Sequence, residues 1–140
     1  MPFPYHVRSS DFTFDRQLQW GDVYWYDFGV AKSNQDKTIA EPHLAVIVNN
    51  PQITWPGVAL IMSMTGAEHK HQGYVFQVLV TRRECSKLDK DSLVKTDQIY
   101  SVPTKPGLPD QYFLTQLEMR IMKRIYEKLV LVLNFNEVVK

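Results

Sequence analysis

Cysteine is nearly missing from this sequence: among 140 residues only Cys85 is present. It can close no internal disulfide, and no CxxC pair or zinc knuckle surrounds it, which excludes a stapled secreted scaffold. Long apolar runs are missing too, since no stretch approaches the roughly 20 apolar residues of a membrane span. The first residues, MPFPYHVRSSDF, carry prolines and charges where a signal peptide needs an unbroken apolar core. A reducing, cytoplasmic location is the expectation. Nor is there an excess of one charge, because 16 Lys and Arg against 15 Asp and Glu leave a formal +1. Net charge therefore gives no argument for a nucleic-acid partner, which would have to be met by a local patch.

What remains is ordinary globular material, 44% hydrophobic and 22% charged, without low-complexity tracts or repeats. The length suits one domain able to bury its own core. Residues 1–18 mix Pro2, Pro4, Ser9, Ser10 and charges with scattered aromatics and read as a loosely packed extension. Residues 19–140 read as the domain.

From Gln19 to Gly29 the run QWGDVYWYDFG predicts a strand. Val23, Trp25 and Asp27 fall on one face and Tyr24, Tyr26 and Phe28 on the other, so both faces should be at least partly covered. Lys32 to Pro42 is polar and too long for a tight hairpin, hence a surface loop. HLAVIVN (His43–Asn49) and VALIMSMT (Val58–Thr65) predict two buried strands joined through Asn50, Pro51, Pro56 and Gly57. Gly73–Thr81 and Ser92–Val102 supply a fourth and a fifth. Five successive strands imply a compact, largely antiparallel sheet or barrel, a mainly β fold with α.

After Pro103, Pro106 and Gly107 the period changes. Leu114, Leu117, Ile121, Ile125, Leu129 and Val132 recur at helical spacing. Pro109 suits a first helical position, and Asp110 suits the positive end of the dipole. One long C-terminal helix is expected, with Glu118, Arg120, Lys123, Arg124, Glu127 and Lys128 on its solvated side.

The order GDVYWYDF, polar loop, HLAVIVNN, LIMSMTG, GYVFQV, SLVKTDQIYSV and helix resembles the MazF/PemK family over roughly residues 20–133. The opening Gly-Asp with aromatics, the strand ending in Thr65, and the Asp97-Gln98 pair carry most of the likeness. The resemblance implies a small, strongly bent β-sheet or barrel with a long C-terminal helix, a homodimer, and a toxin of a toxin–antitoxin pair. The implied activity is metal-independent cleavage of single-stranded RNA, with no cofactor, and a cognate antitoxin as partner. Two departures stand out. His43, in Glu41-Pro42-His43-Leu44, occupies the place where the family carries an arginine before its second strand, and Lys95 replaces an arginine two residues before the aspartate.

Such cleavage needs a base for the ribose 2′-OH, an acid for the departing 5′-oxygen, and donors for the charge on the phosphorane. Four residues are candidates. An imidazole at His43 can act as acid or base. The Thr65 hydroxyl, at a strand end before Gly66, can donate to a phosphate oxygen, although such a residue more often caps a turn. Lys95 and Asp97 lie two apart on one strand and so on one face, a pattern more often a surface ion pair. The resemblance makes Asp97 a base and Lys95 an acid or charge stabiliser. For RNA binding the candidates are Gln98, His69, Lys70, Arg82 and Arg83, through stacking and phosphate contacts, against a plain reading as solvated loop charges. His69 and His71, without a carboxylate or thiol cluster, make a weak case for a metal. The competing function is a non-catalytic inhibitor of the gyrase-poisoning CcdB type, which shares the general fold, or a degenerate family member that only binds RNA or antitoxin.

Overall fold

The computed structural model describes residues 7–29, 41–67, 74 and 76–133. Six strands, β1 (Asp22–Asp27), β2 (Pro42–Ile47), β3 (Val58–Gly66), β4 (Gln77–Val80), β5 (Ser92–Pro103) and β6 (Phe113–Gln116), form one sheet in the order β4-β5-β3-β2-β1-β6. Every neighbouring pair is antiparallel, and the sheet curls into a half-barrel.

Alternation decides what each face buries. Val23, Leu44, Val46, Met62, Met64 and Val94 point to one face, where Leu117, Ile121, Met122 and Ile125 close over them. Tyr24, Ala45, Ile47, Ala59, Ile61, Val102 and Leu108 form a second core on the other face, joined by Tyr26 and Phe28. The two-faced reading of the first strand therefore holds. Each fully buried large side chain here contributes about 1.5–3 kcal/mol of transfer free energy. Gly21 opens β1 at φ +89°, and a Cβ there would come within 3.2 Å of the Leu117 carbonyl oxygen. Only glycine gives that turn beneath the start of the helix without strain.

The C-terminal region differs from its sequence reading. The helix spans Met119–Leu133 only; Asp110–Tyr112 is a single 3-10 turn and Phe113–Gln116 is the sixth strand. The apolar period through Leu114, Leu117 and Ile121 looks helical. However, β1 has an open edge, and pairing Asp22 with Gln116 and Val23 with Thr115 satisfies backbone groups that a helix would leave orphaned. Pro109 precedes that 3-10 turn and does not start the helix.

Asp110 is used elsewhere. Its carboxylate accepts the backbone N–H groups of Asp15 (3.0 Å) and Arg16 (3.0 Å) and the Thr13 hydroxyl (3.0 Å). Burial works against its charge, but these donors outweigh it and hold the carboxyl below its ordinary range. Thr13 to Arg16, within the segment expected to pack loosely, are thus pinned. Arg16 completes the attachment by donating through Nη1 and Nη2 to the fully buried Asp22 at 2.5 and 3.2 Å. It also lies 3.6 Å from the centre of the Phe113 ring.

Candidate active site

The register that pairs Leu44 with Met64, continued by one residue, sets His43 opposite Thr65. Both lie on the face of Ala45 and Ser63, away from the C-terminal helix. On its other side β3 pairs Thr65 with Leu93. Lys95, two residues on, shares that face and is half-buried opposite Gln77. At this end of the sheet a cleft of about 330 Å³ is lined by His43, Thr65, Gly66, Trp25, Asp89 and Lys90, among others. A smaller cleft, about 180 Å³, lies at the opposite end of β2 and β3 against Phe14 and Lys105.

Thr65 is 3% exposed, and its Oγ1 has no hydrogen-bond partner; neither has Ser63 Oγ on the same face. A buried hydroxyl left unsatisfied costs about 1–3 kcal/mol, and a phosphate oxygen would meet the need. A substrate reaches it only by displacing what encloses it. Beside it, a Cβ on Gly66 would stand 2.8 Å from Lys90 Cε, so the glycine makes room for that cationic chain.

His43 follows an unusual backbone step. Glu41 has φ +68°, a left-handed conformation that costs a non-glycine residue about 1–2 kcal/mol. Two hydrogen bonds hold it, Glu41 N–H to the Gly29 carbonyl (2.6 Å) and Phe28 N–H to the Glu41 carbonyl (3.1 Å). The chain is thereby turned into β2 two residues before the imidazole.

The other candidates are placed differently. The pairing of β3 with β5 shifts between Met62 and Met64, and Asp97 lies in β5 within that irregular stretch, exposed to solvent. Five steps of β5, Val94 to Ile99, face only two steps of β3, Met64 to Met62, and Asp97 falls in that excess. Gln98 is oriented by the Tyr100 hydroxyl, which donates to its Oε1 at 3.3 Å. Arg82 is engaged within its own loop, Nε donating to the Leu88 carbonyl (3.1 Å) and the backbone N–H to the Asp91 carboxylate (2.8 Å). Arg83 is exposed. His69 and Lys70 lie outside the described residues.

Trp25, Asp89 and Lys90 were not among the site residues expected from the sequence. The 81–91 loop reaches the end of β3 through folding alone. Ala67 N–H bonds to the Asp91 carbonyl at 2.9 Å, and Arg124 meets Glu84 at 2.9 Å. That hydrogen bond to Arg124 lowers the Glu84 pKa. No cluster of three or more His, Cys, Asp or Glu that could hold a metal ion occurs among the described residues, and none of their helices is long and apolar enough to cross a membrane.

The molecule is thus a half-barrel of antiparallel strands closed by one C-terminal helix, with a cleft where β2 begins and β3 ends. Residues 19–133 match the family described as PemK-like, MazF-like toxin of type II toxin–antitoxin system, and the chain belongs to that family. Among solved structures, it is similar to MazF from Deinococcus radiodurans (TM-score 0.64, 15% identity, 86% of this chain and 99% of that one covered). It also resembles an endoribonuclease in complex with its cognate antitoxin from a mycobacterial species (TM-score 0.62, 18% identity, 84% and 96% covered). A third likeness is the Mycobacterium tuberculosis toxin MazF-mt6 (TM-score 0.59, 10% identity, 81% and 96% covered). At these identities the likeness is one of fold. No curated protein matches the sequence.

Proposed function

We propose that this chain is the toxin of a toxin–antitoxin pair and cleaves single-stranded RNA without a metal. The observation that carries the proposal is the pairing of His43 with the enclosed, unpartnered hydroxyl of Thr65 across one cleft, within a chain of the MazF-like family. The 2′-oxygen attacks the adjacent phosphorus as His43 takes its proton. The 5′-oxygen leaves with a proton from Lys95, giving a 2′,3′-cyclic phosphate and a 5′-hydroxyl. Thr65 donates to a non-bridging oxygen, and the Lys95 ammonium offsets the charge of the phosphorane. Asp97, exposed on the irregular stretch of β5, is the alternative base, and Gln98 holds the next nucleotide. Arg83, His69 and Lys70 contribute phosphate and base contacts. The assembly is a homodimer, and the antitoxin neutralises it with an acidic segment that folds over the RNA groove.

The test is cleavage of a mixed-sequence RNA in chelator. His43→Ala should slow it by about 10²- to 10⁴-fold, His43→Arg should restore part of the rate, and the wild-type rate should follow pH with an inflection in the imidazole range. Wild-type cleavage by His43→Ala removes His43 from the mechanism. Gyrase inhibition without RNA cleavage replaces the enzyme with a CcdB-type inhibitor.

A further inference from the structure

Buried hydroxyls in folded proteins nearly always have a hydrogen-bond partner, and β3 carries two that do not. Ser63 is 0% and Thr65 3% exposed, and neither Ser63 Oγ nor Thr65 Oγ1 meets a protein donor or acceptor. Alternation along β3 puts both on the face that His43 shares, two strand rises or about 7 Å apart. Thr65 lines the cleft, and Ser63 lies one step further into the sheet. A third such atom belongs to the same face. The register that pairs Val78 with Val94, and Val94 with Met64, turns Gln77 away from the helix, and its enclosed amide oxygen has no partner either.

The flanks of Ser63 decide which ligand fits. On β2 its partner is Ala45, whose side chain offers no polar atom. On β5 it faces the excess residues between Val94 and Ile99, which pair with Met64 and Met62 on the helix side. Lys95 and Gln98, one step inside each end of that bulge, therefore fall on the face of Ser63. Bulges re-aim side chains in this way beside active sites. A hydroxyl can donate one hydrogen bond to a phosphodiester oxygen, and the step from Thr65 to Ser63 is close to that between successive phosphates of an unpaired strand. One phosphate would satisfy one hydroxyl, whereas a chain of them satisfies both.

We infer that Ser63 is a second phosphate-binding hydroxyl, which donates to the phosphodiester one nucleotide from that held by Thr65. This rests on the RNA-cleaving reading above. Because both hydroxyls are enclosed, RNA reaches them only as this face opens. The test is binding of a labelled single-stranded RNA, 2′-O-methylated throughout so that it cannot be cut, to the full chain. Ser63→Ala should weaken binding by about 10- to 150-fold, the loss of one hydrogen bond to a charged group, with Tm unchanged or raised because the hydroxyl has no protein partner. A neutral methylphosphonate moved along the RNA should separate the two hydroxyls. One linkage that costs wild type affinity should cost Ser63→Ala none, and the linkage next to it should cost Thr65→Val none. Equal binding by wild type and Ser63→Ala, or linkages that are not neighbours, overturns the inference. So does a lowered Tm with unchanged binding, the mark of a hydroxyl that only holds buried water. Wild type that binds this RNA yet leaves its unmethylated counterpart intact overturns the enzyme reading alone, and wild type that binds no RNA overturns both.

Discussion

Removing Arg16 tests whether the segment before β1 is part of the folded unit. Asp22 is 0% exposed and accepts from Arg16 at 2.5 and 3.2 Å and from Gln19 N–H at 2.8 Å. Arg16→Met keeps much of the apolar stem over Phe113 but leaves the buried carboxylate with the single Gln19 donor. Loss of one partner of a buried pair costs about 3–5 kcal/mol. Because the Arg16 side chain is 28% exposed, water can approach its vacated place, and a cost of about 2–3 kcal/mol is expected. For a domain of this length each kcal/mol moves Tm by about 3 °C, so thermal unfolding followed by tryptophan fluorescence should fall by about 6–9 °C. Asp22→Asn in the Arg16→Met background should lower Tm less than it does alone, because the unpaired charge is then gone. A shift under about 2 °C for Arg16→Met, or simple additivity, would refute the coupling.

Asp110 gives a second test, in the acid range. Its folded pKa is depressed, so its stabilising effect is complete above the unfolded value of about 4 and is lost as pH falls through the folded one. Asp110→Asn should therefore destabilise the protein at pH 7 and narrow the gap to wild type in denaturant titrations carried to low pH; an unchanged gap would count against the carboxylate. Thr65→Val removes a hydroxyl with no protein partner, so it should leave Tm unchanged or raised while cutting RNA cleavage by about 10²-fold, as for a lost oxyanion donor. Equal activity would make Thr65 a structural residue. Light scattering at micromolar concentration should give twice the chain mass, since Tyr126, Leu131 and Leu133 stay exposed on the helix at 64, 59 and 61%; a persistent monomer would contradict the dimer.

Much of this protein is local in origin and was readable as such. Alternation in DVYWYD and PHLAVI, the apolar run VALIMSMT, and the turn residues between them specify strands whatever surrounds them, because side chains two apart share a face. The family order from Gly21 onward follows from those same strands, and with it the placement of His43 at the start of β2 and Thr65 near the end of β3. Three things were decided only by tertiary structure. Leu114 has helical spacing from Leu117 and Ile121, yet the unpaired edge of β1 draws residues 113–116 into a strand, since an open edge carries backbone groups that no local pattern announces. Asp110, suited by position to a helix start, instead holds Thr13, Asp15 and Arg16 across 94 to 97 positions of sequence. Finally, the cleft takes Asp89 and Lys90 from a loop that reads as solvated charge, and the shift in β3–β5 register sets Asp97 in an irregular stretch that regular alternation would not give. Distances between residues far apart in sequence depend on how strands pair and bend, and a periodicity of two or 3.6 carries no information about either.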